Sequence, residues 1–564
     1  MRTDAGVVAT LAAALAVYPL SASAQPADAA TAPPAPSAST APAAGKPAAG
    51  KERPARFDIN DFEIRGAHAL RQIDLEEAVY PFVGPNRSAD DVEKARAALE
   101  KAYHGRGLQT VGVAVLSQDP ATGVVVLNVT EQKVGQLRVN GSRFFDVDRI
   151  KRTAGAVAEG KLPNFNDISK DIVRLNQWPD RRVTPALRAG VTPGTVDIDL
   201  NVEDKFPLHA SAEVNNRQSP NTVPTRTTYT VRYENLWQLG HSASFSYQVA
   251  PQAPEQVTVF SGSYLWRPVD TDRFNVLFYA VDSKSNVATV GGSNVVGPGQ
   301  VVGTRLIVTL PGLEGFFHTV SLGIDYKHFG QMMESGSQNF STPVTYFPGS
   351  VNYSATWQRE GSLTQLNAGA VYGFRGLGSE PDDFDAKRYR ATEQFAILKG
   401  DLSHTHDLPE GFQVFGKVQG QITDQPLVSS EQLSVGGLDT VRGYLETETL
   451  GDYGVIGTAE LRTPDIAGWF RATFKPPAPP PAPFDVTMVN EWKLFAFGDA
   501  GFTRIHDPLP EQTQQYELAS YGFGTRFKVF NYFSGSVAWA MPLISQTYTS
   551  ANHPRVLFRF WGEF

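Results

Sequence analysis

The sequence predicts a mainly β protein: a sixteen-stranded antiparallel barrel that crosses a membrane, preceded by two small β-α-α-β-β repeats. Three observations point there. The 564 residues include only 19% charged but 11% aromatic side chains, with 50 Gly and 34 Phe, a balance nearer to β-rich membrane proteins than to soluble helical enzymes. From Phe206 onward apolar residues alternate with polar ones to the C-terminus, the period of a half-buried strand. Past the N-terminal leader no apolar run reaches the roughly eighteen residues a membrane helix needs. A chain that crosses lipid without such a helix must close its strands into a barrel, because hydrocarbon satisfies no open edge.

The elements follow in order. Arg2, an apolar run from Val7 to Leu20 broken by Pro19, and Ala22-Ser23-Ala24 before Gln25 read as a secretory signal peptide over residues 1–24. Residues 25–56 are rich in Pro, Ala and Ser and lack large apolar side chains, so they form an extended linker without a core. Inside it "GKPAAGK" (45–51) has the spacing of a phosphate-binding loop, but Glu52 follows and neither strand nor helix flanks it. That context marks a coincidence.

Residues 57–133 and 134–205 form the two repeats. In the first, "FDINDFEIRG" reads as one strand, a helix starts near Arg71, and a second begins at Ser88, where Ser88 and Asp91 make a capping box. Val92, Ala95, Leu99, Ala102 and Tyr103 share one face of that helix, Gly105 and Gly107 end it, and "TVGVAVL" and "VVVLNVTE" follow as strands. The second copy has "GQLRVNG", helices near 146–156 and 166–176, then "RRVTPALRAG" and "TVDIDLNVE" around the turn "VTPG". One element order used twice is an internal repeat.

Residues 206–564 form the barrel. "HSASFSYQV" places Ala243, Phe245, Tyr247 and Val249 on one face; "TYTVRYENL" sets Tyr229, Val231 and Tyr233 against Thr230, Arg232 and Glu234. The last segment alternates Val556, Phe558, Phe560, Gly562 and Phe564 against Arg555, Arg559 and Glu563. At roughly 22 residues per strand and connection, this stretch holds about sixteen strands.

Composition also excludes function classes. The net charge of −8 argues against a nucleic-acid partner, which needs concentrated Lys and Arg. There is no cysteine, so disulfides, thiolate metal sites and a Cys nucleophile are out. No H-E-x-x-H, G-x-S-x-G or G-x-G-x-x-G motif occurs; no catalytic residue, cofactor or metal is expected. His404 and His406 share a strand face but lack a third ligand beyond Asp407, and read as a solvated strand end. The Pro-rich "KPPAPPPAP" (475–483) reads as a connecting loop.

One face of "EWKLFAFGDAGF" holds Trp492, Leu494, Ala496 and Phe502; the other holds Glu491, Lys493, Phe495, Phe497 and Asp499. Charges are costly against lipid, so the second face meets the lumen. Phe495 and Phe497 then need a cover inside the barrel. In "YGVIGTAELR", Val455, Gly457, Ala459 and Leu461 face lipid and Thr458, Glu460 and Arg462 turn inward. The loop before it carries Val441-Arg442-Gly443-Tyr444, and folding back would bring Arg442 to Asp499 or Glu460 as a directional pair. An exposed outer loop is the alternative that pattern alone leaves open.

These motifs resemble a known family. Val441-Arg442-Gly443-Tyr444 is similar to the V-R-G-Y signature of the sixth outer loop in the outer-membrane assembly and secretion superfamily, and Phe497-Gly498-Asp499 to its F-x-D motif. The repeats resemble POTRA domains. Leu175-Asn176 with Pro179, and Pro193-Gly194-Thr195, resemble the second POTRA of two-partner (type V) secretion transporters of Gram-negative bacteria, the haemolysin and filamentous-haemagglutinin exporters. The resemblance covers residues 57–564. It implies an outer-membrane barrel with periplasmic POTRA domains that captures one large, unfolded, β-helix-forming exoprotein, haemolysin- or adhesin-like, and passes it to the cell surface. It further implies outer-membrane lipids as surroundings, and periplasmic chaperones and the barrel-assembly machinery as partners in biogenesis. Arg442 would anchor the in-folded loop at Asp499 beside Phe497, and Phe564 would be the C-terminal barrel signal. Residues 25–56 depart from members whose N-terminal helix plugs the barrel, and the connection from Pro464 to Asn490 is long for a periplasmic turn. The rivals are a barrel-assembly insertase, which usually has more POTRA repeats, and a passive porin, which has no use for the repeats or the V-R-G-Y loop.

Overall fold

The computed structural model describes residues 56–116, 122–268, 273–285, 287–290, 293–330, 332–335, 338–341, 343–468 and 489–564. The signal peptide, the linker up to Ala55, the phosphate-loop look-alike and the Pro-rich 475–483 lie outside the described residues. The chain divides into an N-terminal unit ending at Pro207 and a barrel unit starting at Leu208.

The first repeat contains β1 (Arg56–Ile59), β2 (Asp61–Arg65), α1 (Gln72–Val79), β3 (Gly84–Ser88), α2 (Ala89–His104), β4 (Val111–Val115) and β5 (Val124–Glu131). The segment expected as one strand is two. β1 pairs antiparallel with β3, while β2 runs parallel to β5 in a β2-β5-β4 sheet. The reason is parity: Ile59 and Phe62 are both buried, an odd spacing that one straight strand cannot aim at one core. The chain therefore turns at Asn60, whose amide donates to the Gly123 carbonyl at 2.7 Å. At the start of α2, the amide and hydroxyl of Ser88 both donate to the Asp91 carboxylate, at 3.0 and 2.9 Å. Val92, Ala95, Leu99 and Tyr103 fill the core beneath that helix. Burial and the charge of Glu131 raise the pKa of the Tyr103 phenol.

The second repeat contains β6 (Lys133–Asn140), α3 (Val147–Thr153), α4 (Phe165–Leu175), β7 (Arg181–Ala189) and β8 (Thr195–Asp204), in a β6-β8-β7 sheet. Its equivalence to the first extends to single atoms. Gly66 after β2 and Gly141 after β6 both have positive φ (+78° and +87°), and a Cβ on either would lie 2.4 Å from the carbonyl oxygen of Val129 or Val202. Two residues past those carbonyls, Glu131 accepts the amides of His68 and Ala69 at 2.8 Å, and Asp204 accepts those of Arg143 and Phe144 at 2.7 Å. A glycine that admits the last strand and a carboxylate that caps the following turn close each sheet onto its helices.

The barrel unit contains, in order, β9 (Leu208–Asn215), β10 (Arg226–Leu236), β11 (His241–Val249), β12 (Thr258–Trp266), β13 (Phe274–Ser283), β14 (Val287–Val290), β15 (Ser293–Val296), β16 (Gly299–Thr309), β17 (Phe316–Phe329), β18 (Met332–Ser335), β19 (Gln338–Ser341), β20 (Val344–Arg359) and β21 (Ser362–Gly378). There follow α5 (Pro381–Lys387), β22 (Ala396–Asp407), β23 (Gln413–Ile422), β24 (Leu433–Val435), β25 (Thr449–Gly451), β26 (Tyr453–Arg462), β27 (Val489–Arg504), β28 (Gln515–Val529), β29 (Phe533–Pro542) and β30 (Arg555–Glu563). Three short hairpins, β14–β15, β18–β19 and β24–β25, belong to outer connections; the other sixteen strands form a closed barrel. The expected faces are seen: Phe245, Val231, Leu461 and Val556 point outward and are exposed, while Arg232, Glu460 and Asp499 point inward. β30 closes antiparallel onto β9, Arg559 pairs across that seam with Glu213 at 2.8 Å, and Phe564 exchanges backbone hydrogen bonds with Ala210.

Gly141→Val is expected to destabilise the N-terminal unit by about 2 kcal/mol or more, because it adds a side chain at positive φ against a carbonyl. A lowered unfolding midpoint of that unit by circular dichroism checks it; an unchanged midpoint refutes the role given to this glycine.

Candidate functional site

Arg442 lies in the sixth outer connection, residues 423–452 between β23 and β26, and this loop folds into the barrel. The "QLSVGG" stretch supplies β24 of the loop's own hairpin, while the wall strand before the loop is the earlier β23. The loop lies directly on β27: a Cβ on Gly501 would come within 2.7 Å of Val435 and 3.0 Å of Val441. Val441, Leu433 and Val435 pack with Ile456 and Leu518 of the wall. At Gly443 the backbone turns through φ +94°, a conformation that favours glycine.

The arginine is held by four hydrogen bonds to two carboxylates. Its Nε and Nη2 donate to the two oxygens of Asp499 at 2.7 and 2.8 Å, its backbone amide donates to Asp499 at 3.1 Å, and Nη1 donates to Glu460 at 2.6 Å. Its guanidinium carbon sits 3.5 Å from the centre of the Phe497 ring, so the lumenal ring that needed a cover has a cationic one. Phe495 lies under Arg526, 4.2 Å away, and the two rings pack with Ala538, Ala540 and Leu557. Gly522 and Gly524 on β28 leave room for them: a Cβ at either would fall 2.6 or 2.5 Å from the rings. Glu460 also takes Arg462 at 2.8 Å and Arg526 at 3.0 Å. The Tyr444 hydroxyl donates to the Ile544 carbonyl at 2.8 Å and accepts the Ala519 amide at 3.4 Å.

Val441, Arg442, Gly443, Tyr444, Glu460, Phe497 and Asp499 therefore meet in one place. Sequence reasoning missed Arg526, which its position inside an alternating strand could have flagged as lumenal. It also missed the contacts that hold the rest of the loop, among them Arg217 to Glu446 and Asp439, and Glu448 to Thr549. The connection holding α5 likewise turns inward, burying Phe384 and sending Arg388 to Asp452 at 3.1 Å. His404 and His406 stack at 5.9 Å on the outward face of β22, and His404 bonds Thr364.

Leu175-Asn176 with Pro179, and Pro193-Gly194-Thr195, sit at opposite ends of the β7–β8 hairpin. Leu175 is buried at the end of α4, and the Asn176 side chain bonds both polar backbone groups of Val183, at 2.6 and 3.0 Å. Arg181 lies 4.3 Å over the Trp178 ring, one residue before Pro179, and donates to the Leu175 carbonyl at 2.6 Å; burial pushes its pKa down to about 10. At the far end the Thr195 amide donates to Thr192 at 3.1 Å across Pro193-Gly194, with Gly194 at φ +80°, the geometry of a type II turn.

The sheet edges differ. The edge of β6 is covered: Val134 exchanges backbone bonds with Lys161 and Gly160. That of β4 faces α2, whose Arg96 and His104 reach the Val113 and Val111 carbonyls. Beyond Val183, β7 is an exposed edge that includes Pro185, Leu187 and Ala189.

A closed sixteen-stranded barrel with an arginine loop locked inside and two POTRA-like repeats before it defines an outer-membrane protein transporter. The model of the haemolysin secretion/activation protein family ShlB/FhaC/HecB matches residues 194–478, and that of the ShlB-type POTRA domain matches 57–132. The chain belongs to this family of two-partner secretion transporters. It is 24% identical over 425 residues to the outer membrane transporter CdiB of Dickeya dadantii, covering 72% of each chain. It is 19% identical over 399 residues to the heme/hemopexin transporter protein HuxB of Haemophilus influenzae, covering 69% of each. Among solved structures, CdiB from Escherichia coli aligns with TM-score 0.64 at 18% identity over 92% of this chain and 93% of that one. BamA from Haemophilus ducreyi lacking POTRA domains 1–3 aligns with TM-score 0.53 at 12% identity, over 90% and 100%. Both likenesses concern the fold.

Arg442→Ala is expected to leave a folded, heat-modifiable barrel in the outer membrane while removing about 3–5 kcal/mol of what holds the loop, with export sharply reduced. Arg442→Lys should rescue little, since a lysine cannot make the bidentate contact. Asp499→Ala should match Arg442→Ala, and the double variant should be little worse than either. Secretion assays read all three, and wild-type export by Arg442→Ala would refute the role.

Proposed function

We propose that this chain is the dedicated exporter of one large exoprotein, taken unfolded from the periplasm by the POTRA repeats and threaded through the barrel to the cell surface. The observation that carries this reading is loop six itself. It lies inside the barrel and is fastened there mainly by side-chain contacts rather than by the ladders of the wall, so it can be displaced while the wall stays intact. A passive porin has no need of such a loop or of the repeats. A barrel-assembly insertase shares the fold, but two repeats and membership of the secretion family favour export.

The exposed edge of β7 supports capture by strand addition, in which backbone hydrogen bonds hold an extended segment with little demand on its sequence. Since Val183 turns its polar groups away from β8, alternation does the same for Leu187 and Ala189. Pro185 fits an edge position because it needs no donor there. Folding of the cargo outside the cell supplies direction without a nucleotide.

Leu187→Pro removes one outward N–H without touching the ladder to β8, and is expected to cut export several-fold at unchanged barrel content; retained export would exclude this edge. Deleting residues 57–204 should leave channel conductance but abolish export. The deciding comparison is of proteins released by cells with and without this chain. Loss of one large protein supports a dedicated exporter, whereas general loss of outer-membrane barrels supports an insertase.

A further inference from the structure

Loop six meets the wall a second time, far from Arg442. Glu431 lies at the start of the loop's inward path, just before β24, and is 0% exposed. It accepts from the Lys327 ammonium at 2.6 Å and from the Tyr346 hydroxyl at 2.6 Å, and Tyr346 also bonds Ser430 at 2.9 Å. Lys327, 1% exposed, is on β17 and Tyr346 on β20. In barrel order β27, which carries Asp499, is the sixth strand on from β17.

The loop brings this carboxylate to a stretch of wall that carries several buried charges. Two residues before Lys327, Asp325 is engaged by both terminal nitrogens of Arg305, at 2.5 and 2.6 Å, and by the Tyr279 hydroxyl at 2.7 Å. Gly303 and Gly323 leave the space for this cluster, since a Cβ on either would run into Asp325 or Arg305. Asp325 is committed to Arg305, and Glu431 brings a carboxylate to the ammonium two residues along, where a charge out of water is costly unless paired. At the other end of the loop Asp452 accepts the amides of Leu427 and His506, at 3.0 and 2.6 Å, and the Gln432 side chain at 2.8 Å.

We propose that Lys327 and Tyr346 with Glu431 form a second clamp that positions the root of loop six, independent of the Arg442 clamp at its tip. The loop is then a strap fixed at two places on the wall, and both must loosen before the lumen is clear. This rests on the transport reading only for its purpose; the clamp itself is tested without cargo.

The test is single-channel conductance of purified full-length protein in planar bilayers, with heat modifiability confirming each fold. Lys327→Met and Glu431→Gln should each raise the fraction of time the channel conducts by roughly tenfold or more. Combined, they should do no more than either alone, because they remove the same contact. Lys327→Met with Arg442→Ala should multiply the two separate effects. Tyr346→Phe, which keeps every charge, should give a smaller rise in the same direction and serves if the charge variants fail to fold. Parental conductance in Lys327→Met and Glu431→Gln, or in Tyr346→Phe if only that variant folds, overturns the proposal. So does a combination with Arg442→Ala that behaves as Arg442→Ala alone. An absence of export by the parent protein would leave these conductance results standing and count against the transport reading instead.

Discussion

A guanidinium held out of water organises this barrel. Arg442 is 4% exposed, and a cation in that position is stable only when its donors are met by acceptors of opposite charge in the right plane. Asp499 supplies that plane and Glu460 the remaining charge. The surrounding residues follow from the requirement. Phe497 gives the guanidinium a flat face to rest on, and Gly522 and Gly524 make room for the rings. Gly501 lets the loop approach the wall, and Gly443 provides the backbone turn that places Arg442. A loop without that arginine would keep its apolar contact through Val441 and Val435 and its other polar bonds to the wall, but would lose the bidentate contact that fixes its tip.

The N-terminal repeats solve a different problem with less. Each is too small for a large core, so each closes its sheet with a glycine under a carbonyl and a carboxylate over two amides. This local solution leaves edges, and the edges are handled unequally: a backbone segment covers β6, a helix guards β4, and β7 stays open after Val183. An exposed edge is a liability in an ordinary protein. Its retention on β7 is consistent with the capture role proposed above.

What was legible from the sequence depended on whether the information was local. Alternation fixes which side of a strand meets lipid, so the inward turn of Glu460, Asp499 and Phe497 could be read from a few consecutive residues each. The helix at Ser88 was legible for the same reason, since its cap and its apolar face lie within one segment. The break at Asn60 was hidden because "FDINDFEIRG" looks like one strand until the parity of Ile59 and Phe62 is compared. Contacts across the lumen were not legible. Lys327 and Glu431 are separated by 104 positions, and no periodicity says which strands face each other once the barrel closes. The partner of Arg442 was readable because the carboxylates lie on the next two strands; the partners of Glu431 lie elsewhere on the wall.

The two carboxylates at the tip are not equivalent, and the difference bears on whether the loop is a brace or a latch. Glu460 is also held by Arg462 and Arg526, so withdrawal of Arg442 leaves it paired. Among the described residues, the hydrogen bonds to the Asp499 carboxylate all come from Arg442. Moving the tip therefore strands one carboxylate there, and at this clamp the energy that resists motion is concentrated at Asp499. Such an asymmetry suits the displaceable loop proposed above. In the transport cycle proposed above, Glu460, kept in place by two wall arginines, is the group that would preserve the docking position, and Asp499 the one that would draw the guanidinium back.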